Sequence, residues 1–152
     1  MKSLQDTYGP NVICFGCGPA NPEGLQIKSF AEGDECVAEF RPRKHHQAFP
    51  GVVNGGIIGT VLDCHSNWTA TWALMRKSGA KTPPCTVTAD FHVVLKRPTP
   101  VDAVLKLRAR AVELGEDRAV IDATLEANGK VCATCKGTFV AVKEGHPAFH
   151  RW

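Results

Sequence analysis

Apolar residues return every three or four positions between Gly55 and Lys77, and every second position in the segments after it. At about 100° per residue, Ile57, Ile58, Val61, Leu62, His65, Trp68, Thr69 and Trp72 share one broad face. This predicts a helix from about Gly55 to about Lys77, stopped at Ser78-Gly79 by a glycine terminator. Ahead of it, "LQIKSF" and "ECVAEF" flank the turn "AEGD" and read as a hairpin. Behind it, "TVTADFHVVL" places Val87, Ala89, Phe91, Val93 and Leu95 on one side, with Thr88 opposite. "AVLKLRARA" turns Leu105, Leu107, Ala109 and Ala111 inward, and "RAVIDATLEA" turns Ala119, Ile121, Ala123 and Leu125. "KVCATCKGTFVAV" does the same with Val131, Ala133, Cys135, Phe139 and Ala141. Four alternating segments joined by short turns predict an antiparallel sheet with one covered face. One long helix against that sheet is an α+β architecture. Residues 1–24, with three prolines and four glycines, read as an irregular lead-in. Residues 25–143 form a single domain and 144–152 a tail.

The helix face opposite the apolar one carries Gly56, Gly59, Thr60, Asp63, Asn67, Ala70 and Leu74, and no formal charge lies between Asp63 and Arg76. A solvated face would show Lys and Glu, so small neutral residues predict close packing by a second subunit or a ligand. A carboxylate there is partly desolvated, which raises its pKa unless donors compensate. Gly55 and Gly56 leave the N–H groups of the helix start accessible, the geometry of a carbonyl-polarising site. The alternative is that the glycines only permit a tight turn into the helix and Asp63 bonds nearby backbone.

Composition narrows the classes. With 152 residues, 43% hydrophobic and 22% charged, the chain fits one globular domain. No apolar run is long enough for a signal peptide or a membrane span, which predicts a cytoplasmic protein without a membrane partner. A net charge of +3 with no basic stripe argues against nucleic acid. Seven cysteines without a secretory signal predict reduced thiols. The pairs Cys14/Cys17 and Cys132/Cys135 have metal-ligand spacing, but on a strand Cys132 and Cys135 face opposite sides, and no metal is expected. Cys64, beside Asp63, diverges from it by about 100° and reads as a packing residue.

The segments "CFGCGPANPEGLQI", "FPGVVNGGIIGTVLD", "TVTADFHVVLKRPTP" and "GKVCATCKGTFVAV" resemble the PaaI-type branch of the hotdog-fold acyl-CoA thioesterases, over about Cys14 to Val142. The resemblance implies a hotdog fold, a helix wrapped by a curved sheet, with sites at the interface of a homodimer that can pair into a homotetramer. It implies that Asp63 acts as base or nucleophile on an acyl-CoA thioester, that Gly55 and Gly56 N–H polarise its carbonyl, and that Thr88 holds the attacking water. No cofactor is implied, coenzyme A being part of the substrate. His46 and Gln47 of the loop before the helix, and Asn67 on it, are further candidates for substrate contact. Lys96 and Arg97, at a strand end, suit the coenzyme A phosphates. Relatives carry His before the two glycines; this chain has Asn54, which donates a hydrogen bond but does not titrate near neutrality. That departure leaves a catalytically weak acyl-CoA-binding protein as the alternative. A hotdog dehydratase would need a His and an acid paired across the site.

Overall fold

The computed structural model describes residues 1–152. A short helix α1 (Leu4–Tyr8) precedes the hairpin β1 (Ser29–Glu32) and β2 (Glu35–Phe40). A single 3-10 turn (Lys44–His46) and a small ribbon, β3 (Gln47–Phe49) and β4 (Val52–Val53), lead into the long helix α2 (Gly55–Ser78). Four strands follow: β5 (Thr86–Leu95), β6 (Leu105–Leu114), β7 (Arg118–Ala127) and β8 (Lys130–Ala141). The main sheet is antiparallel, in the order β1-β2-β6-β7-β8-β5. Both periodicities therefore fold as the sequence predicts, as one helix on one sheet, the hotdog arrangement. No helix is long and apolar enough to cross a membrane.

Local chemistry sets the element ends. Gly79 adopts φ 72° and closes α2 with a left-handed cap, its N–H donating to the Arg76 carbonyl. Asn128 and Gly129 both take positive φ between β7 and β8, the requirement of a two-residue hairpin turn. The core forms where α2 crosses β6 and β7. Val61, Leu62 and Trp68 meet Leu105, Leu107, Ile121, Leu125 and Phe139, all essentially inaccessible to solvent.

Helix α2 is covered more widely than expected. Asn67, Ala70 and Leu74, assigned from the sequence to a face awaiting a partner, are buried within the single chain. Of that face, Gly56, Gly59, Thr60 and Asp63 stay at least partly open. The lead-in and the tail help to cover the helix. Helix α1 interrupts the irregular lead-in, and Cys14 and Cys17 pack against α2. Trp152 stacks on Trp68 with ring centroids 4.8 Å apart and donates its indole N–H to the Pro83 carbonyl.

A second difference concerns β5. The pairing of β5 with β8 slips between Thr88 and Asp90, so Ala89 is an extra residue with no partner. Such a bulge reverses the side-chain phase. Thr86 and Thr88 therefore face the helix before it, and Phe91 and Leu95 face Gly59 and Gly55 after it. Strict alternation put Thr88 on the side opposite Phe91; the bulge puts both on the helix side.

His65 ties the layers together. It is wholly buried, with Nε2 donating to the Cys36 carbonyl at 3.0 Å and Nδ1 accepting from Ser29 Oγ at 2.8 Å. The Ser29 hydroxyl accepts in turn from Gln5 Nε2, and the Ser29 amide donates to Gln5 Oε1. One side chain thereby links α2 to β1, β2 and, through Gln5, α1.

Burial pushes the His65 pKa down from 6.5 to about 4, because the desolvated site disfavours the charged ring. Between those values the unfolded chain binds a proton that the folded chain excludes. Stability is full above pH 6.5 and falls as pH drops toward 4, by on the order of 3 kcal/mol. Urea midpoints measured across this range should show the slope in the native protein and a flatter profile in His65→Gln. An unchanged slope in that variant would assign the effect to other groups.

Candidate active site

The site is built on the first two turns of α2 and the start of β5. Asn54 precedes the helix with extended backbone, and its Oδ1 accepts from the N–H groups of Gly56 (2.7 Å) and Ile57 (3.2 Å). This is a full N-cap. It also corrects the expectation that Gly55 and Gly56 together present free donors, since the Gly56 N–H is engaged by the cap. The Gly55 N–H and the Asn54 side-chain Nδ2 have no partner within the chain, whereas the Asn54 backbone N–H donates to the His46 carbonyl. The two glycines have steric reasons. A Cβ on Gly56 would stand 2.9 Å from Asn54 Oδ1, and one on Gly55 would stand 3.2 Å from Leu95 Cδ1. Side chains there would press on the cap and on β5.

Two turns along, Asp63 sits half-buried, and Thr88 Oγ1 donates to its Oδ1 at 2.7 Å. The other carboxylate oxygen has no protein partner within the chain. Burial raises the Asp63 pKa, the Thr88 hydroxyl opposes the rise, a negative Cys14 sulfur adds to it, and the Arg151 guanidinium reduces it. Arg151 was not anticipated from the sequence. Only the return of the tail across the helix places it there.

The remaining candidates separate into two groups. Lys96 and Arg97 are exposed and line a cleft of about 400 Å³ at the start of α2, with Phe49, Gly55, Leu95 and the buried Thr99. Their own backbone amides are fixed by the Cys132 carbonyl, which leaves both side chains free. His46, Gln47 and Asn67 instead do structural work. His46 is buried, with Nδ1 accepting from the Arg43 amide and its ring stacked on Phe40. Gln47 closes its own loop, donating to the Lys44 carbonyl and accepting from the Gly51 amide. Asn67 Oδ1 accepts from Thr86 Oγ1 beneath the sheet. None of the three reaches the cleft. The thiols were also paired differently from their spacing: Cys14 and Cys17 meet Cys64, not Cys132 and Cys135.

Seven residues at 1.5 Å each separate Gly56 from Asp63 by about 10 Å along the helix. A carbonyl held by the helix start of one chain is therefore beyond reach of that chain's own Asp63.

A family model described as thioesterase superfamily matches residues 50–133, which include Asn54, both glycines, Asp63 and Thr88. A thioesterase superfamily protein from Shewanella loihica superimposes with a TM-score of 0.67 at 29% identity, over 82% of this chain and 98% of that one. The Escherichia coli PaaI protein of the phenylacetic acid degradation operon gives 0.67 at 14% identity, over 78% and 81%. A Streptococcus mutans protein bound to acetyl-CoA gives 0.64 at 17%, over 76% and 88%. No curated protein matches the chain.

The cap makes a stability prediction. Asn54→Ala removes the acceptor for two amides and should cost about 0.5–2 kcal/mol in chemical denaturation, whereas Asn54→Asp, an equally good cap, should cost little. Equal losses in the two variants would mean that the side-chain oxygen is not what holds the helix start.

Proposed function

Because the chain belongs to the thioesterase superfamily, we propose that it hydrolyses an acyl-CoA thioester to the free acid and CoA, with Asp63 as general base or nucleophile. The observation that carries this reading is the Asp63–Thr88 pair: a desolvated carboxylate with one oxygen fixed at 2.7 Å and the other unpartnered. Fixing Oδ1 aims Oδ2. Burial raises its basicity, which improves proton abstraction near neutral pH. As a base, Oδ2 takes a proton from water while the oxygen adds to the thioester carbonyl carbon. The tetrahedral intermediate then expels the CoA sulfur, which leaves with that proton. As a nucleophile, Oδ2 adds directly, CoA leaves, and water cleaves the resulting anhydride. Water is the only co-reactant in either route.

Developing charge on the carbonyl oxygen calls for donors about 3 Å away. The Gly55 N–H, the Asn54 side-chain Nδ2 and the positive end of the helix dipole supply them. Given the 10 Å offset along α2, the donors in this reading come from a second copy, and the working unit is a homodimer with paired sites. Lys96 and Arg97 take the phosphates of coenzyme A at the cleft mouth, and Phe49 and Leu95 offer an apolar wall. The acetyl-CoA bound to the Streptococcus mutans protein supports a CoA ligand for this fold.

One observation favours a second reading, binding with weak turnover: the Asn54 oxygen already occupies the Gly56 N–H. Thiol release from short, long and aromatic acyl-CoAs separates the two. Asp63→Asn should fold normally and lose about 10²–10⁴ in kcat. Thr88→Ala, which frees the carboxylate without removing it, should lose less. Parental rates in Asp63→Asn would remove Asp63 from the chemistry, and saturable acyl-CoA binding with no thiol release would establish the binding reading.

A further inference from the structure

The proposed hydrolysis uses none of the sulfurs that crowd the side of α2 next to Asp63. Cys14 and Cys17, from the lead-in, and Cys64, from the helix, bring three Sγ atoms within 4.8 Å of one another. Cys14 and Cys64 stand 3.8 Å apart. Thiolates bound at about 2.3 Å to a tetrahedral zinc ion stand about 3.8 Å apart, the spacing Cys14 and Cys64 already have.

The loop is shaped around the third sulfur. In "CFGCG" a Cβ on Gly16 would lie 2.2 Å from Cys64 Sγ, and one on Gly18 would lie 2.4 Å from the Val12 carbonyl oxygen. Only glycine lets the loop lie this close to the helix. The Gly18 amide closes the turn onto the Cys14 carbonyl, and the Leu25 and Ile27 amides anchor the Phe15 and Gly16 carbonyls. The three sulfurs therefore sit on a preformed turn and a rigid helix.

One N–H donor faces the sulfurs. The Trp68 indole N–H donates to Cys17 Sγ at 3.3 Å.

We propose that Cys14, Cys17 and Cys64 form a binding site for a thiophilic d10 cation, Zn²⁺ or its like, held by three thiolates. On binding, the S–H bonds of the three cysteines break, their protons pass to solvent, and three sulfur–metal bonds form without any change of oxidation state. Cys14 is half-buried and the other two are buried, so solvent completes the tetrahedron from the Cys14 side. Thiolate ligands select soft metals, and the Trp68 donor orients one of them from outside. The ion would clip the lead-in to the helix that carries Asp63.

The test uses the full chain, reduced and stripped with a chelator, and needs no substrate. Zn²⁺ added against a chromogenic competitor should load one ion per chain, and Co²⁺ should give thiolate charge-transfer bands. Cys14→Ser, Cys17→Ser and Cys64→Ser should each weaken Zn²⁺ by more than about 100-fold, and Trp68→Phe by about tenfold. Cys85→Ser should match the parent. Cadmium-113 resonance of the unaltered protein reports the number of sulfur ligands, so the site stays testable if a variant fails to fold. Absence of uptake by the reduced protein overturns the proposal. So does uptake that survives all three substitutions, or a cadmium shift showing fewer than three sulfurs. A reduced chain that takes no ion but loses two hydrogens under mild peroxide overturns it in favour of a thiol–disulfide pair.

Discussion

Helix α2 is buried over most of its length, and the polar side chains it carries inward, Ser66 excepted, find partners there. That pairing organises the molecule. His65 bonds Ser29 of β1 and the Cys36 carbonyl of β2, Asn67 bonds Thr86 of β5, and Thr71 donates to the Pro84 carbonyl before β5. These partners come from both edges of the sheet and the segment leading into it. A helix held only by apolar contacts could slide or rotate at small cost, because such contacts are non-directional. Hydrogen bonds aimed at opposite ends of the sheet fix its axial position and rotation, and so fix where Asp63 emerges.

Asp63 follows the same rule with a different outcome. It has a partner, Thr88, for one oxygen and none for the other. A fully satisfied carboxylate would be structural, and a fully solvated one would be a weak base. The bulge at Ala89 produces the intermediate case. By reversing the phase of β5 it lets Thr86 and Thr88 reach Asn67 and Asp63, while Phe91 and Leu95 still cover Gly59 and Gly55. A regular strand could supply only one of these two sets to the helix.

The chain also carries its own covering for the side of α2 beyond Asp63. The lead-in packs Cys14 and Cys17 on Cys64, and the tail stacks Trp152 on Trp68. Both reach the electrostatics of the carboxylate, the Cys14 sulfur raising its pKa and Arg151 lowering it. Segments distant in sequence thus set the basicity of one side chain.

The elements themselves were legible from the sequence. Periods of 3.6 and 2 are local properties, and the glycines at 79 and 129 act on their own turns, so the helix, its end and the four long strands needed no tertiary information. The carboxylate at position 63 was legible as well, because an isolated charge on an otherwise neutral helix face stands out. Side-chain partners were not. Thr88 was selected by resemblance, but its direction depended on a bulge that exists only in the pairing of β5 with β8. His46, Gln47 and Asn67 look like polar site residues in the sequence; the first two bond within their own loop, and Asn67 bonds Thr86 of β5. Cys14 and Cys64 are fifty positions apart, and only the fold of the lead-in onto α2 makes them neighbours. Local pattern determines which faces and elements form, because it acts over one or two turns. Long-range packing decides which polar groups remain free, because a hydrogen bond used inside the fold is no longer available to a ligand.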